Sequence, residues 1–210
     1  MRNFYFLQIP LGTDAAYLPQ AVGTIWSYCN QFEEVRKRYK LAGVWWNKEI
    51  DIVEPDFIAA SCYMWNWKIT YDALKEIKKK YPKCRIVVGG PEPQYTSEWC
   101  KKHPEIDAVL AYYGEETMRR LLVDDELNIP GVVTKDFNNA AEAEYADPKM
   151  IPSPYLNGFF DSLLKGNNQK VRAIFEGNRG CPYTCSFCDI GHKKYTKIQK
   201  KVDYKIGRNG

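Results

Sequence analysis

The sequence predicts an α/β fold with a doubly wound parallel sheet over residues 1–135. Short apolar runs alternate there with amphipathic runs of helical period, and several apolar runs end directly in glycine, proline or small polar residues. Short buried strands that alternate with helices need crossover connections, which make the sheet parallel and cover both of its faces. The chain has 210 residues, 45% of them hydrophobic and 27% charged. This composition excludes a disordered or collagen-like chain.

The predicted elements follow one another along the chain. The apolar run 4–9 predicts a first strand that ends at Pro10, and Leu18, Val22 and Ile25 recur at helical spacing, which predicts a helix over 17–31. The other predicted elements are strands at 41–46 and 57–62, a helix at 69–81, a strand at 85–88, a helix at 96–102, a strand at 107–112, a helix beginning at 114 and a short strand at 130–134.

Composition changes after residue 135. The stretch 136–170 contains an asparagine- and alanine-rich segment and a proline-bearing run at 147–154, which together predict a linker. A further strand at 171–176 opens a second unit, and we assign that unit to residues 171–210. The first domain, the linker and the second unit are therefore predicted to meet at residues 135 and 170.

Charge and hydropathy limit the partners and the compartment. The net charge is +4, and among the basic residues from Lys193 onward only Tyr195 and Tyr204 are interleaved, fewer aromatic side chains than single-strand binders use, so we expect no nucleic-acid partner. No apolar run approaches the ~20 residues of a membrane span. The N-terminal run reaches the polar Gln8 too soon for a signal peptide. We expect a cytoplasmic protein with no membrane contact.

The seven cysteines fall into two groups. Their odd number, in a chain without a secretory signal, disfavours a disulfide framework. The scattered group is expected to be reduced thiols in the core or at the surface: Cys29, Cys62, Cys84 and Cys100. The other group is confined to one short segment: Cys181, Cys185 and Cys188. Such close spacing needs a chemical explanation.

Three thiolates on one loop predict a site for a soft metal. A structural zinc site closes a tetrahedron with four ligands, and His192 is the nearest candidate for a fourth. A [4Fe–4S] cluster held by three cysteines would instead leave one iron with an open position, as chemistry at a metal requires. Both alternatives stay open on spacing alone.

The motif itself resembles the start of a radical SAM domain. A predicted strand leads into Arg179-Gly180, then Cys181-Pro182-Tyr183-Thr184-Cys185-Ser186-Phe187-Cys188 and Asp189. The resemblance implies that the three cysteines ligate a [4Fe–4S] cluster whose open iron binds S-adenosylmethionine. It implies reductive cleavage of the sulfonium by an electron from the cluster, and it places Phe187 beside the cofactor.

The α/β domain resembles the cobalamin-binding domain that precedes many radical SAM domains. The similarity lies at strand ends and implies the following cobalamin contacts: Ser61, Tyr63, Gly89, Gly90, Pro91, Gly114 and Glu115. The loop 10–16 after the first strand has no histidine in an Asp-x-His-x-x-Gly pattern, and the only histidines are His103 and His192. The resemblance therefore implies cobalamin without a histidine as its lower axial ligand.

The radical SAM part is expected to be incomplete. Few residues follow Cys188 before residue 210, whereas the barrel of that family needs several more strand–helix units. We expect residues 171–210 to be the truncated start of that domain and to be loosely packed in isolation. The remainder would lie in a longer chain or in a second chain acting as partner, and an external electron donor would be required.

Three functions remain in competition. The leading hypothesis is a radical SAM enzyme, or its N-terminal part, that performs a cobalamin-assisted methylation or rearrangement. The second is a non-catalytic α/β module that binds a cofactor or partner and has a vestigial cysteine loop. The third is a small zinc-binding adaptor. Substrate, catalytic residues and oligomeric state are not readable from the sequence.

Overall fold

The computed structural model describes residues 1–10, 15–47, 49–165, 170–183, 185–188 and 199–200. The strands are β1 (Arg2–Leu7), β2 (Ala15–Tyr17), β3 (Tyr39–Trp45), β4 (Phe57–Ser61), β5 (Arg85–Gly89), β6 (Ala108–Leu110), β7 (Val132–Val133), β8 (Lys170–Arg172), β9 (Asn178–Arg179) and β10 (Gln199–Lys200). The helices are α1 (Gln20–Cys29), α2 (Glu33–Arg38), α3 (Trp67–Lys80), α4 (Ser97–Lys102), α5 (Gly114–Asp124) and α6 (Phe159–Leu164), with 3-10 turns at Ala140–Glu142 and Pro148–Met150.

Six strands form one sheet in the order β3-β1-β4-β5-β6-β7. All neighbouring pairs are parallel except β6 and β7, which are antiparallel. The central strands are apolar throughout, and in β4 every residue before Ser61 is buried. A strand buried on both faces has no polar alternation, which is why these runs could be recognised from the sequence. The predicted doubly wound α/β fold is confirmed.

Helices cover both faces of the sheet. In β1, Phe4 and Phe6 pack into a core with α1 and α5, while Tyr5 and Leu7 pack into a second core with α3 and α4. This alternation follows from the two-residue period of a strand. The Phe4 ring stacks on that of Phe57 in the next strand, with centroids 5.1 Å apart.

Three local features differ from the predicted elements. Helix α1 begins at Gln20, directly after Pro19. Helix α2 was not predicted, because only Val35 of its six residues is buried and the apolar period is therefore too short to recognise. Its signal is one of charge: acidic residues occupy its first turn and basic residues its last, which suits the helix dipole. Strand β2 was also not predicted and pairs in parallel with β8.

The segment predicted as a linker packs against the α/β unit. Phe160 of α6 is only 2% exposed and lies against α1, where a Cβ on Gly23 would stand 2.7 Å from the Phe160 ring. Ile151 and Ala146 bury themselves around Tyr28. The division of the chain at residues 135 and 170 stays a prediction. In the part of the chain that the structure describes, no helix combines the length and hydropathy that crossing a membrane requires.

The packing of α6 on α1 gives a first prediction. Phe160→Ala removes a buried ring whose site cannot fully collapse, so the free energy of unfolding in urea should fall by about 3–5 kcal/mol. Leu156→Ala is the matched control, because Leu156 is exposed and its truncation should change the free energy by less than about 0.5 kcal/mol. Equal effects of the two substitutions would contradict the packing.

Candidate functional site

A cavity of about 330 Å³ lies beyond the carboxyl ends of β4, β5 and β6. Its walls are residues at these strand ends and in the first turns of α1 and α5, among them Ser61, Gly89, Gln20 and Glu115. Carboxyl ends of parallel strands meet at one edge, and connections that run to opposite faces leave a crevice there. The cavity is therefore where an open parallel sheet binds ligands.

The glycine pair after β5 has two separate roles. Gly90 has φ +103°, and a Cβ there would stand 2.4 Å from the Cys62 carbonyl oxygen, so only glycine fits without strain. The contact joins the ends of β4 and β5, where the Cys62 amide donates to the Gly89 carbonyl at 2.8 Å. At Gly89, by contrast, a Cβ would meet Leu110 O at an ordinary 3.5 Å.

Two buried acceptors in the cavity wall have no hydrogen-bond partner among the described residues: Gln20 Oε1 and Glu115 Oε2. The amide nitrogen of Gln20 donates to Thr24 Oγ1 at 3.2 Å, which fixes the orientation of the side chain. Leaving a buried acceptor unpaired costs about 1–3 kcal/mol. The cavity is consequently suited to a ligand with N–H or O–H donors.

A buried ion pair lies at the cavity wall. Arg179 Nη2 donates to Glu115 Oε1 at 2.6 Å, and both side chains are 5% exposed. Arg179 also donates to both Glu176 oxygens, at 3.0 and 3.1 Å, and its guanidinium lies 4.9 Å from the Tyr113 ring centroid. Burial lowers the pKa of Arg179, but the Glu115 and Glu176 carboxylates outweigh this effect and raise it above its ordinary value.

The cysteine loop is largely solvent-accessible. Cys181 is half-buried, Cys185 and Cys188 are exposed, and the Cys188 amide donates to the Cys185 carbonyl at 3.1 Å. Within the described ranges, no three His, Cys, Asp or Glu side chains are grouped as metal ligands. Phe187 is 90% exposed, and His192 lies outside the described residues. The metal-ligand assignments to the three cysteines stay predictions.

The structure brings together most of the residues predicted from strand ends. Six of them line the cavity: Ser61, Tyr63, Gly89, Gly90, Gly114 and Glu115. Pro91 is exposed just after the glycine turn and is not among the lining residues. Sequence reasoning missed Gln20, Ile174, Glu176 and Arg179 as parts of this wall. Arg179 was visible in the cysteine motif, but its approach to α5 depends on tertiary packing.

The fold and this cavity are those of an open α/β sheet with a ligand crevice at the carboxyl ends of its strands. Residues 48–122 match the family model described as "B12 binding domain". This range includes β4, β5 and β6 and the beginning of α5, which carry most of the cavity wall.

The chain is similar to two methyltransferases, one of which is described as a cobalamin-dependent radical SAM enzyme. The chain is 32% identical, over 98% of its length, to the cobalamin-dependent radical SAM methyltransferase TokK from Streptomyces tokunonensis, of which it covers 33%. It is also 32% identical, over 90% of its length, to the 2-(S-pantetheinyl)-carbapenam-3-carboxylate methyltransferase from Streptantibioticus cattleyicolor, of which it covers 30%. The chain thus spans about a third of these relatives' length.

A solved structure shares the fold. The radical S-adenosylmethionine methyltransferase TsrM from Kitasatospora setae, determined with tryptophan substrate and a SAM analog, aligns with a TM-score of 0.57. The alignment covers 96% of this chain and 43% of TsrM, at 12% identity. Together with the family match and the relatives, it confirms the resemblance to radical SAM proteins that contain a cobalamin-binding domain.

The close approach at Gly90 gives a second prediction. Gly90→Ala forces a Cβ against the Cys62 carbonyl at a positive φ, so the free energy of unfolding should fall by about 1–3 kcal/mol. Gly89→Ala, one residue earlier and without that contact, should change it by about 1 kcal/mol or less. Chemical denaturation of both variants measures the difference. An equally stable Gly90→Ala protein would contradict the turn described above.

Proposed function

We propose that this chain binds cobalamin in the cavity and holds a [4Fe–4S] cluster on Cys181, Cys185 and Cys188, as part of a cobalamin-dependent radical SAM methyltransferase. The observation that carries the proposal is one of position. Most of the cavity wall lies in the segment that matches the B12-binding domain, and the wall also includes Glu176 and Arg179, just before the first cysteine. The relatives support methyl transfer as the reaction class.

The residues of the cavity fit cobalamin. The corrin carries amide side chains and the nucleotide tail carries hydroxyl groups, which supply the donors that Gln20 Oε1 and Glu115 Oε2 lack. Gly89 and Gly114 leave strand and helix ends open to an approaching ring system. Among the described residues, no histidine lines the cavity, and the absence of a histidine lower ligand is part of the proposal.

The cysteine loop fits a cluster by its chemistry. Three thiols lie on one loop outside the core, two of them exposed, so they can converge on a metal without disrupting the core. When bound, the cluster would supply the electron that cleaves S-adenosylmethionine, and cobalamin would carry the methyl group. The chain's own residues bind and orient: Arg179 fixes the start of the loop through Glu115 and Glu176.

A second candidate function is a cofactor-binding module without cluster chemistry. It is favoured by the contrast between a formed cavity and cysteines that, in the described residues, are not grouped as metal ligands. Such a module would bind cobalamin with the same residues. It would take up no iron, or it would take up zinc at the cysteine loop.

Cobalamin binding gives a third prediction. Ala21 of α1 is half-buried in the cavity wall, so Ala21→Trp should fill the cavity and weaken binding of cyanocobalamin by more than about tenfold, as expected for the loss of well-packed contact area. Ala42→Trp is the matched control, because Ala42 is exposed on the edge strand β3. Equilibrium dialysis gives both dissociation constants. Unchanged affinity in Ala21→Trp would place cobalamin elsewhere.

Metal content gives a fourth prediction. After anaerobic reconstitution, the chain should hold about four iron atoms with matching sulfide, and the triple replacement of Cys181, Cys185 and Cys188 by Ala should hold almost none. Cys100→Ala controls for the loss of a thiol, since Cys100 is a buried residue of α4 and should not bind iron. Stoichiometric zinc without iron would instead favour the zinc-binding alternative.

A further inference from the structure

The chain that leads into the cysteines forms part of the cavity wall. Ile174, Glu176 and Arg179 line the same space as Gly89 and Gly114. Whatever occupies the cavity therefore contacts the sheet ends on one side and the segment 174–179 on the other. Cys181 follows this segment two residues after Arg179.

This segment is held at both of its ends, and its last two residues also pair, as β9, with β10. At its start, the Tyr155 hydroxyl donates to the Ile174 carbonyl at 2.8 Å and accepts from the Ile174 amide at 3.0 Å. At its end, Arg179 reaches Glu115 at the beginning of α5. Between and beyond these points the side chains are mostly exposed or half-buried, and none of the described residues 180–183 and 185–188 is fully buried. Arg179 is thus the last buried side chain before the cysteine loop.

Once this ion pair has formed, the Arg179 guanidinium has few other partners to choose from. A guanidinium that is 5% exposed cannot exchange its carboxylates for water, and its planar fork contacts Glu115 and Glu176 together. Breaking a buried pair leaves an uncompensated charge, which is strongly unfavourable. Glu115 belongs to the cavity wall and contributes one oxygen to Arg179, while its second oxygen is buried without a partner among the described residues. One side chain therefore takes part in both the cavity wall and the contact that holds the loop.

We propose that Arg179 is a positioning residue that couples occupancy of the cavity to the placement of the cysteine loop. A ligand that donates to the free oxygen of Glu115 and packs on Ile174 and Glu176 fixes the carboxylate that holds Arg179. The start of the loop is then held at the mouth of the cavity. The inference rests on the proposed function in one respect, namely that cobalamin is the ligand.

Coupling of this kind is reciprocal. If cobalamin favours the held position of the loop, a change that prevents the held position must weaken cobalamin binding by the same factor. The two effects can be measured separately. One is the effect of cobalamin on the alkylation rate of the loop thiols, and the other is the effect of the loop on the affinity for cobalamin. Neither measurement requires an active enzyme.

Thiol alkylation of the full 210-residue chain measures the effect of cobalamin on the loop. In the wild type, saturating cyanocobalamin should slow alkylation of Cys181 by about tenfold, within the usual range for coupled sites. Cys84 and Cys100 are internal references, because burial raises the pKa of their thiols to about 12 and about 11 and leaves them unreactive in both states. Peptide mass spectrometry resolves each cysteine.

Three variants locate the coupling. Arg179→Lys keeps the charge but cannot bridge two carboxylates, and Glu115→Gln keeps the shape but removes the charge; in both, the protection of Cys181 by cyanocobalamin should vanish. Arg2→Gln is the matched control: it breaks an arginine–carboxylate pair with Asp125, at 2.8 Å, at the opposite end of the sheet, and should keep full protection. Undiminished protection in both Arg179→Lys and Glu115→Gln would overturn the inference.

Dialysis against cyanocobalamin keeps the two proposals distinguishable. Absence of binding by the wild type would overturn the proposed cofactor and the coupling with it. Binding without any protection of Cys181 would overturn the coupling alone. If the variants fail to fold, the reciprocal measurement decides: the wild type alkylated at its loop cysteines should bind cyanocobalamin several-fold more weakly, and equal affinity would refute the coupling.

Discussion

The parallel alignment of β1, β4, β5 and β6 is the constraint on which the rest of this structure depends. Parallel strands place all their carboxyl ends at one edge, so the turns after β4 and β5 and the first turns of α1 and α5 must converge there. The contact between Gly90 and the Cys62 carbonyl holds two of these turns together. The cavity is a consequence of strand direction, and its chemistry is set by the few side chains at that edge.

Charge is concentrated on one side of this cavity. The side chains of Glu115, Glu176 and Arg179 come from two distant parts of the chain, and the pair between Glu115 and Arg179 is buried. A buried ion pair adds little net stability compared with apolar packing, but it fixes a geometry. Here the ion pair fixes the position of the residues that lead into the cysteine motif. The remaining wall is mainly apolar or glycine.

Much of the sheet could be predicted from the sequence because its central strands are buried on both faces and read as unbroken apolar runs. The strand-end residues came from the resemblance to the cobalamin-binding domain, and their position agrees with the ligand edge of a parallel sheet. The rest depended on tertiary contacts. Helix α2 buries only Val35, and β7 turned out antiparallel to its neighbour. The role of Arg179 in the wall requires the segment before the cysteines to fold back onto α5, which no local pattern indicates.

The short antiparallel β7 has one more effect. It contributes only two residues, and the chain turns back at once, with Val133 bridged to Asn138. An unpaired edge strand can pair with a strand of another chain. Because β7 has only two residues and the returning chain lies beside it, it offers almost no backbone for such pairing. On the opposite margin, β3 is longer but carries an irregular register against β1. Both edges of the sheet are therefore poor templates for pairing with a strand of another chain.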